Sequence, residues 1–160
     1  GCSLALIENF WPIFGVFFMP ATGDLFHARA GREAFWGNER IRISGIDSTN
    51  DESLLLTFSR FHNRFNTNFQ GKIRSFGCTS AHICYVAMGR ADAAIVANES
   101  FQDLAAARVI IESAGGRFCK IDGSDFFLND YLGGHKIEEH LLATSAELLP
   151  QIRACLKPVP

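Results

Sequence analysis

One acidic side chain, Asp103, occupies a position from which a carboxylate can bind a metal ion. It lies in the run 101–106, Phe-Gln-Asp-Leu-Ala-Ala, at the start of a predicted helix that ends at Ser113 and is followed by a Gly-Gly pair at 115–116. A carboxylate at this place interacts favourably with the positive end of the helix. The same position can project a carboxylate beyond the edge of a sheet toward Mg²⁺, which prefers oxygen ligands. The spacing alone therefore leaves two interpretations open, a helix-capping acid and a metal ligand.

A second candidate is the segment Gly77-Cys78-Thr79, which lies at a predicted strand-to-helix junction. The free backbone amides at a helix start can bind an anion or a sugar hydroxyl, and a glycine lets the backbone approach a ligand closely. The alternative is an ordinary capped helix that follows a tight turn. Cys78 is also a potential nucleophile. Because activation of a nucleophile needs a paired base, and none is evident beside Cys78, a cysteine hydrolase is disfavoured.

The histidines and cysteines show no spacing typical of a zinc site, and no pair of cysteines has the CxxC pattern. The odd number of cysteines, five, favours free thiols in a reducing cytosol, and therefore a cytoplasmic protein. The histidines are taken as structural or surface groups. These residues are His27, His62, His82, His135 and His140, and Cys2, Cys78, Cys84, Cys119 and Cys155.

The bulk properties indicate a globular protein and exclude several classes of partner. A chain of 160 residues with 48% apolar and 20% charged residues can bury a sizeable core. The net charge is −2 and the basic residues are scattered, whereas nucleic-acid binding needs clustered lysine and arginine. The apolar runs are too short to span a bilayer, and the start lacks the pattern of a signal peptide. We therefore expect neither nucleic-acid nor membrane binding.

The first 45 residues predict an antiparallel meander of short strands. Apolar and aromatic runs alternate with turns at the Pro and Gly positions, and the first two runs, bounded by Pro12 and Pro20, are typical of strands buried on both faces. The predicted strands are 3–7, 13–19, 25–30, 34–36 and 40–43.

The rest of the chain predicts alternating strands and helices, and hence a largely parallel sheet. Phe61, Phe65 and Phe69 recur every fourth residue, which predicts a short amphipathic helix that packs on the core; a ligand-binding aromatic stripe is the alternative. The predicted strands are 54–58, 72–76, 93–97, 117–121 and 139–144, and the other predicted helices are 80–88, 103–113 and 146–156.

Several ordered motifs resemble those of the inositol monophosphatase family. Residues 74–87 are similar to the family pattern R-x-x-G-S-A-A-x-x-x-C-x-V-A, and residues 89–93 to G-x-A-D-A. Residues 103–106 and 114–116 resemble the signature W-D-x-A-A followed by E-A-G-G. Residues 15–31 and 31–44 resemble G-V-V-Y-x-P-x-x-G-E-L-F-x-A-x-x-G and G-x-G-A-F-x-N-x-x-x-I-x-V-S. The match runs almost from end to end, with compatible spacing.

This resemblance implies a fold, an activity and a set of site residues. The fold implied is a layered α-β-α-β sandwich of the sugar-phosphatase type, with residues 1–46 as part of an antiparallel sheet and residues 47–160 as a mostly parallel α/β domain. The activity implied is Mg²⁺-dependent hydrolysis of a small phosphate monoester. By position, Asp103 is expected to bind the metal and lie close to the substrate. Gly77, Cys78 and Thr79 are expected to line the substrate, chiefly through backbone groups.

The chain also departs from the family pattern. The G-E-E and D-P-[IL]-D-G-T segments, which supply most of the metal-binding carboxylates, are absent, so we expect the chain alone to be inactive. Gln102 replaces the motif tryptophan, and Val96 stands where related enzymes place a glutamate that contacts the substrate. Glu99 lies nearby but out of register. The opposing hypothesis is a non-catalytic relative that serves as a binding or assembly module.

The resemblance also predicts an exposed face. The helices that precede the first sheet in the family would be missing, which leaves apolar side chains uncovered on strands such as 13–19. Exposed apolar surface favours association. We therefore expect a homodimer, or a separate chain that covers this face.

Overall fold

The first 41 residues form an antiparallel sheet in which each strand pairs with the next one along the chain. The structure is a computed structural model that describes residues 1–159. The predicted meander is confirmed. Its strands are β1 (Cys2–Glu8), β2 (Trp11–Met19), β3 (Asp24–Arg29), β4 (Ala34–Trp36) and β5 (Glu39–Ile41).

The remaining strands are β6 (Leu54–Thr57), β7 (Phe65–Thr67), β8 (Lys72–Arg74), β9 (Ala93–Val96), β10 (Arg117–Lys120), β11 (Leu141–Thr144) and β12 (Leu156–Pro158). Five of them form the second sheet, in the order β10-β11-β9-β6-β8. β6 pairs in parallel with both β8 and β9, whereas β11 lies between β9 and β10 and is antiparallel to both. Four of the five strands therefore run in one direction, as the alternation of strands and helices predicts.

Helices fill the space between the two sheets and cover the far face of the second one. α1 (Thr79–Ala87) and α2 (Phe101–Ser113) pack against each other; α2 also contacts β1, β2 and β3 on one side and β10 on the other. α3 (Leu149–Ala154) packs on the opposite face of the second sheet. The layers are thus sheet, helix pair, sheet and helix. This arrangement is the α/β layered sandwich that the sequence predicts. None of the helices in residues 1–159 has the length and apolar composition that crossing a bilayer requires.

A close backbone contact joins the first sheet to α2. A Cβ atom built on Gly15 of β2 would lie 2.6 Å from the backbone oxygen of Ala106 in α2. A glycine is therefore needed at this crossing. The core beside it contains fully buried Phe17 and Phe26, whose rings stack at 6.4 Å.

The outer face of the first sheet is exposed, and the prediction of strands buried on both faces was wrong. Leu4 and Leu6 of β1 are 65% and 57% exposed, and Phe18 of β2 is also exposed. The turn between the two strands is Asn9-Phe10, with positive φ at both residues, and Pro12 lies inside β2. A continuous apolar run does not reveal how many faces are covered, because coverage depends on what packs there.

The predicted helix at 61–69 was also wrong. Phe61–Asn63 forms a single 3-10 turn, and Phe65–Thr67 is β7, which pairs with β12 near the carboxy terminus. The four-residue spacing still brings the Phe61 and Phe65 rings together, at 5.5 Å. The backbone partner of β7 lies some 90 residues away, so no local pattern indicates it. The division of the chain at residue 46 stays a prediction.

Candidate functional site

The segment 77–79 lines a cavity of about 230 Å³ at the start of α1. Gly77 has φ +69°, a left-handed conformation that favours glycine and turns the chain from the β8 side into the helix. Cys78 is the N-cap residue of α1, and its side chain makes no capping hydrogen bond. The first amides of α1 are therefore not capped by Cys78. The other side of the cavity is the loop between β9 and α2, with Asn98 and Glu99.

Asp103 caps α2. Its Oδ2 atom accepts hydrogen bonds from the Ser100 backbone N–H at 3.2 Å and the Ser100 hydroxyl at 2.5 Å, and its own N–H donates to Ser100 Oγ at 3.4 Å. These contacts form a capping box. The carboxylate is exposed and does not line the cavity, although Ser80 Oγ of α1 donates to the Asp103 backbone oxygen at 2.8 Å. The structure therefore shows the helix-capping interpretation directly.

The second oxygen of this carboxylate is not used by the cap. Asp103 Oδ1 has no hydrogen-bond partner within residues 1–159, since both bonds from Ser100 reach Oδ2. One oxygen of an exposed carboxylate is thus available to a cation. The capping role and a metal-binding role for Asp103 are therefore compatible in geometry.

Glu99 is a cavity residue that the family motif does not assign. It is half-buried in the lining of the cavity, and its Oε1 atom accepts a hydrogen bond from Thr79 Oγ1 at 2.5 Å. Burial and the nearby charge of Asp103 raise the pKa of Glu99, whereas the Thr79 hydrogen bond and Lys136 lower it. The net result is a raised pKa.

A signal for Glu99 was present in the sequence. The loops that follow β8 and β9 leave the same edge of the sheet, because both strands run in the same direction as β6. Glu99, in the loop after β9, therefore lies near the start of α1, which follows the loop after β8. Alignment with the family motif does not assign Glu99 to the site, because Glu99 is out of register. The residue at the motif position is Val96, which is fully buried in the core.

His82 also lines the cavity, although the sequence analysis treated it as structural. It is only 2% exposed, and burial lowers its pKa to about 4, so the ring is neutral at pH 7. Its Nε2 atom accepts the Phe76 backbone N–H at 2.9 Å, which places the proton on Nδ1. Nδ1 has no hydrogen-bond partner in the described part of the chain. His82, one of the lining residues, therefore has a buried donor group without a partner in the described residues.

The described residues do not make a complete metal site. No group of three or more His, Cys, Asp or Glu side chains in residues 1–159 is arranged to hold a metal ion. Asp103 and Glu99 are close enough for their charges to interact, but Mg²⁺ requires six oxygen ligands in octahedral geometry. Two carboxylates at most leave that shell largely unfilled by protein.

The family model for the inositol monophosphatase family matches residues 1–154. The chain belongs to the inositol monophosphatase family. It is 34% identical over 152 residues to an inositol-1-monophosphatase of Caulobacter vibrioides, which covers 88% of this chain and 56% of that protein. It is 28% identical over 158 residues to a fructose-1,6-bisphosphatase/inositol-1-monophosphatase of Thermotoga maritima, which covers 94% of this chain and 61% of that protein.

Solved structures of the family share the fold. An inositol monophosphatase structure from Thermotoga maritima has a TM-score of 0.78 at 23% identity and covers 96% of this chain and 59% of that one. The chain thus spans somewhat more than half the length of these relatives.

Proposed function

We propose that this chain is the carboxy-terminal part of a phosphomonoesterase that hydrolyses inositol monophosphate or a related sugar phosphate. Membership of a family of phosphatases supports the reaction class. The observation that carries the proposal is the cavity in which the start of α1 faces Glu99. A helix start offers amides to an anion, and a half-buried carboxylate offers an acceptor to sugar hydroxyls.

Each wall of the cavity has a distinct role in this proposal. The backbone amides after Gly77, with Cys78 and Thr79, hold an oxygen of the ligand. Glu99 accepts a hydrogen bond from a ligand hydroxyl, which replaces the hydrogen bond that Thr79 donates in the ligand-free structure. His82 lines the cavity and has a buried Nδ1–H without a hydrogen-bond partner in residues 1–159, which in this proposal is a further donor to a ligand oxygen. A substrate that offers both hydroxyls and an anionic group satisfies all three walls.

We further propose that Mg²⁺ is the cofactor and that Asp103 Oδ1 is one of its ligands. The exposed, unpaired oxygen supports this role. Residues 1–159 contain no group of three or more His, Cys, Asp or Glu side chains arranged around a metal ion. This supports the proposal that further ligands come from outside these residues and that this chain alone is inactive. The five free cysteines support a reducing, cytoplasmic location.

The opposing function, a non-catalytic binding or assembly module, has one observation in its favour. The Asp103 carboxylate already has a structural role in the capping box, so its presence does not require a metal. In either case, the exposed outer face of the first sheet supports association, with a second copy or with a separate chain.

A metal titration tests the enzyme proposal. Phosphate release from inositol 1-phosphate is measured with Mg²⁺ or Mn²⁺, for this chain and, where the gene encodes residues before Gly1, for the longer protein. We expect turnover only with the longer protein, and its loss in Asp103→Asn and reduction in Glu99→Gln. Robust turnover by this chain alone would contradict the incomplete metal site. A longer protein that folds, binds no Mg²⁺ and releases no phosphate would favour the module.

A further inference from the structure

A groove of about 470 Å³ lies between two strands that each have a free edge. β8 is the last strand of the second sheet and pairs with β6, whereas β7 pairs with β12. Within residues 1–159, no further strand pairs with β7 or β8. We call this cavity the basic groove, and its lining is 57–62, 65–67 and 73–75. A free strand edge presents backbone N–H and C=O groups with which an extended segment can pair.

Aromatic rings form the floor of the basic groove. Phe61 is buried and stacks on Phe65 at 5.5 Å, and the Phe58 ring meets Phe61 edge-on at 5.9 Å. All three rings line the groove, as does Ile73 of β8. An apolar side chain that covers such a floor removes apolar surface from water, which is favourable. The groove therefore favours an occupant with at least one apolar or aromatic side chain.

The rim of the basic groove carries positive charge without compensating acids. Arg60, His62 and Arg74 line it, and no Asp or Glu is among the lining residues. Arg74 Nη1 donates to the Ile73 backbone oxygen at 2.8 Å. Both arginines are exposed, and neither forms an ion pair within residues 1–159. Guanidinium groups form strong, charge-assisted hydrogen bonds with anions such as carboxylates, so the rim favours an acidic occupant.

The edge, the floor and the rim together select one kind of occupant. A second copy of this chain, paired through the same edge about a two-fold axis, would bring a second set of the same arginines to the groove, and like charges repel. A nucleic acid offers phosphates but lacks the backbone N–H and C=O groups that pair with a strand edge. An extended peptide with carboxylates on both sides of an apolar side chain satisfies all three features.

We propose that the basic groove is a docking site for an extended acidic segment of a partner protein. The segment adds a strand to the free edge of β8, places one apolar side chain on the aromatic floor and pairs its carboxylates with Arg60 and Arg74. This inference does not rest on the proposed phosphatase reaction. Phe58, Ser59 and Ser75 line both the basic groove and the candidate site, so the docked segment lies against a wall of that site.

Synthetic peptides test the proposal. The probe is the peptide Asp-Glu-Val-Phe-Val-Asp-Glu, and its binding to this chain is followed by backbone amide NMR. We expect shifts at the amides of 65–67 and 72–75. A peptide with lysine in place of each acid should bind at least about tenfold more weakly, because it loses the charge-assisted hydrogen bonds. N-methylation of the two valines should also weaken binding, because it removes donors that pair with a strand edge.

Variants of the chain locate the contact. Arg60→Asn keeps a residue that tolerates the left-handed φ of 69°, and Arg74→Gln keeps a polar side chain on β8. Each should weaken binding of the acidic peptide by about three- to tenfold, the effect of losing one exposed charge-assisted hydrogen bond. Arg32→Gln, at an exposed arginine in the turn between β3 and β4, is the matched control and should leave the affinity unchanged.

Three results would overturn the inference. The first is the absence of binding, or binding that leaves the amides of 65–67 and 72–75 unshifted. The second is an equal loss of affinity in Arg32→Gln and Arg74→Gln, which would mean unspecific attraction between charges. The third is an oligouridylate of the same net charge that binds the same amides as tightly as the peptide does, which would assign the groove to nucleic acid.

Discussion

Two side chains at the candidate site influence each other through a single hydrogen bond. Thr79 donates to Glu99, and this bond partly offsets the effect of burial on the Glu99 carboxyl group. The residue scale is also where the sequence was least informative. The motif identifies Asp103, and the sequence leaves its capping and metal-binding roles open. Glu99 is indicated only indirectly, by the predicted parallel sheet that brings two loops to one edge.

Removal of the Thr79 hydroxyl should change the titration of Glu99. In Thr79→Val the hydrogen bond that lowers the Glu99 pKa is lost, so that pKa should rise further. The free energy of unfolding should fall by about 1 kcal/mol, the typical net value of one hydrogen bond. The measurement is a carbon NMR titration of the Glu99 carboxyl. Thr22→Val, which removes an exposed Thr–Asp bond elsewhere, is the control, and an unchanged Glu99 pKa in Thr79→Val would contradict the geometry.

Glu99→Gln should stabilise the protein at neutral pH. A carboxyl whose pKa is raised by folding contributes stability that is present below its unfolded pKa and lost as the pH rises through its folded pKa. The amide keeps the acceptor for Thr79 but carries no charge. We expect a gain below about 1 kcal/mol at pH 7, which shrinks toward pH 4 as the wild-type carboxyl becomes protonated. Urea unfolding at both pH values measures it. Glu147→Gln, on the exposed surface, should show no such difference, and an equal gap at both pH values would refute the assignment.

At the scale of secondary-structure elements, the two longest helices differ in how their first turns are capped. α2 has a complete capping box from Ser100 and Asp103, whereas α1 has a cysteine N-cap without a side-chain hydrogen bond. The helix that faces the cavity is thus the one whose first amides are left for a ligand. Helix positions were predictable from apolar periodicity and the Gly-Gly end of α2. The 3-10 turn and β7 were not, because Phe61 and Phe65 satisfy a helical spacing while their backbone is paired through β12.

Ser100→Ala should destabilise α2. It removes the acceptor for the Asp103 N–H and the hydroxyl that donates to the Asp103 carboxylate, and it leaves only the backbone N–H of residue 100 as a donor to that carboxylate. The expected loss is about 1 kcal/mol, typical of an N-cap serine. Thermal or urea unfolding measures this loss. Ser48→Ala, at an exposed serine that caps no helix, is the control. An equal loss of unfolding free energy in Ser48→Ala would mean that the capping box makes no specific contribution to stability.

At the scale of the molecule, α2 joins the two sheets, and Gly15 sets how closely it approaches the first one. Gly15→Ala places a Cβ atom against the Ala106 backbone, which has no side-chain freedom to move aside. We expect a loss of about 1–3 kcal/mol in the free energy of unfolding, the usual cost of overpacking. Gly45→Ala is the control, because a Cβ atom there meets nothing within 4 Å. A Gly15→Ala protein as stable as wild type would show that the sheet and α2 are not in this contact.

The layered architecture was predictable from the sequence. Pro and Gly at the turns separate the strands of the first sheet, and the alternation of strand and helix patterns predicts the second sheet. The family resemblance predicts uncovered apolar side chains on strands such as 13–19, whereas the apolar composition alone predicts burial on both faces. The structure shows exposed apolar side chains on β1 and at Phe18 of β2.

The position of β11 has a consequence for the order in which the protein can be built. During synthesis, β9 and β10 leave the ribosome before β11. They cannot pair with each other in the native sheet, because β11 lies between them and begins 21 residues after the end of β10. Until residues 141–144 are released, the partly made chain presents two apolar strand edges to its surroundings. The second sheet can therefore close only when one short, late strand inserts between two strands that are already made.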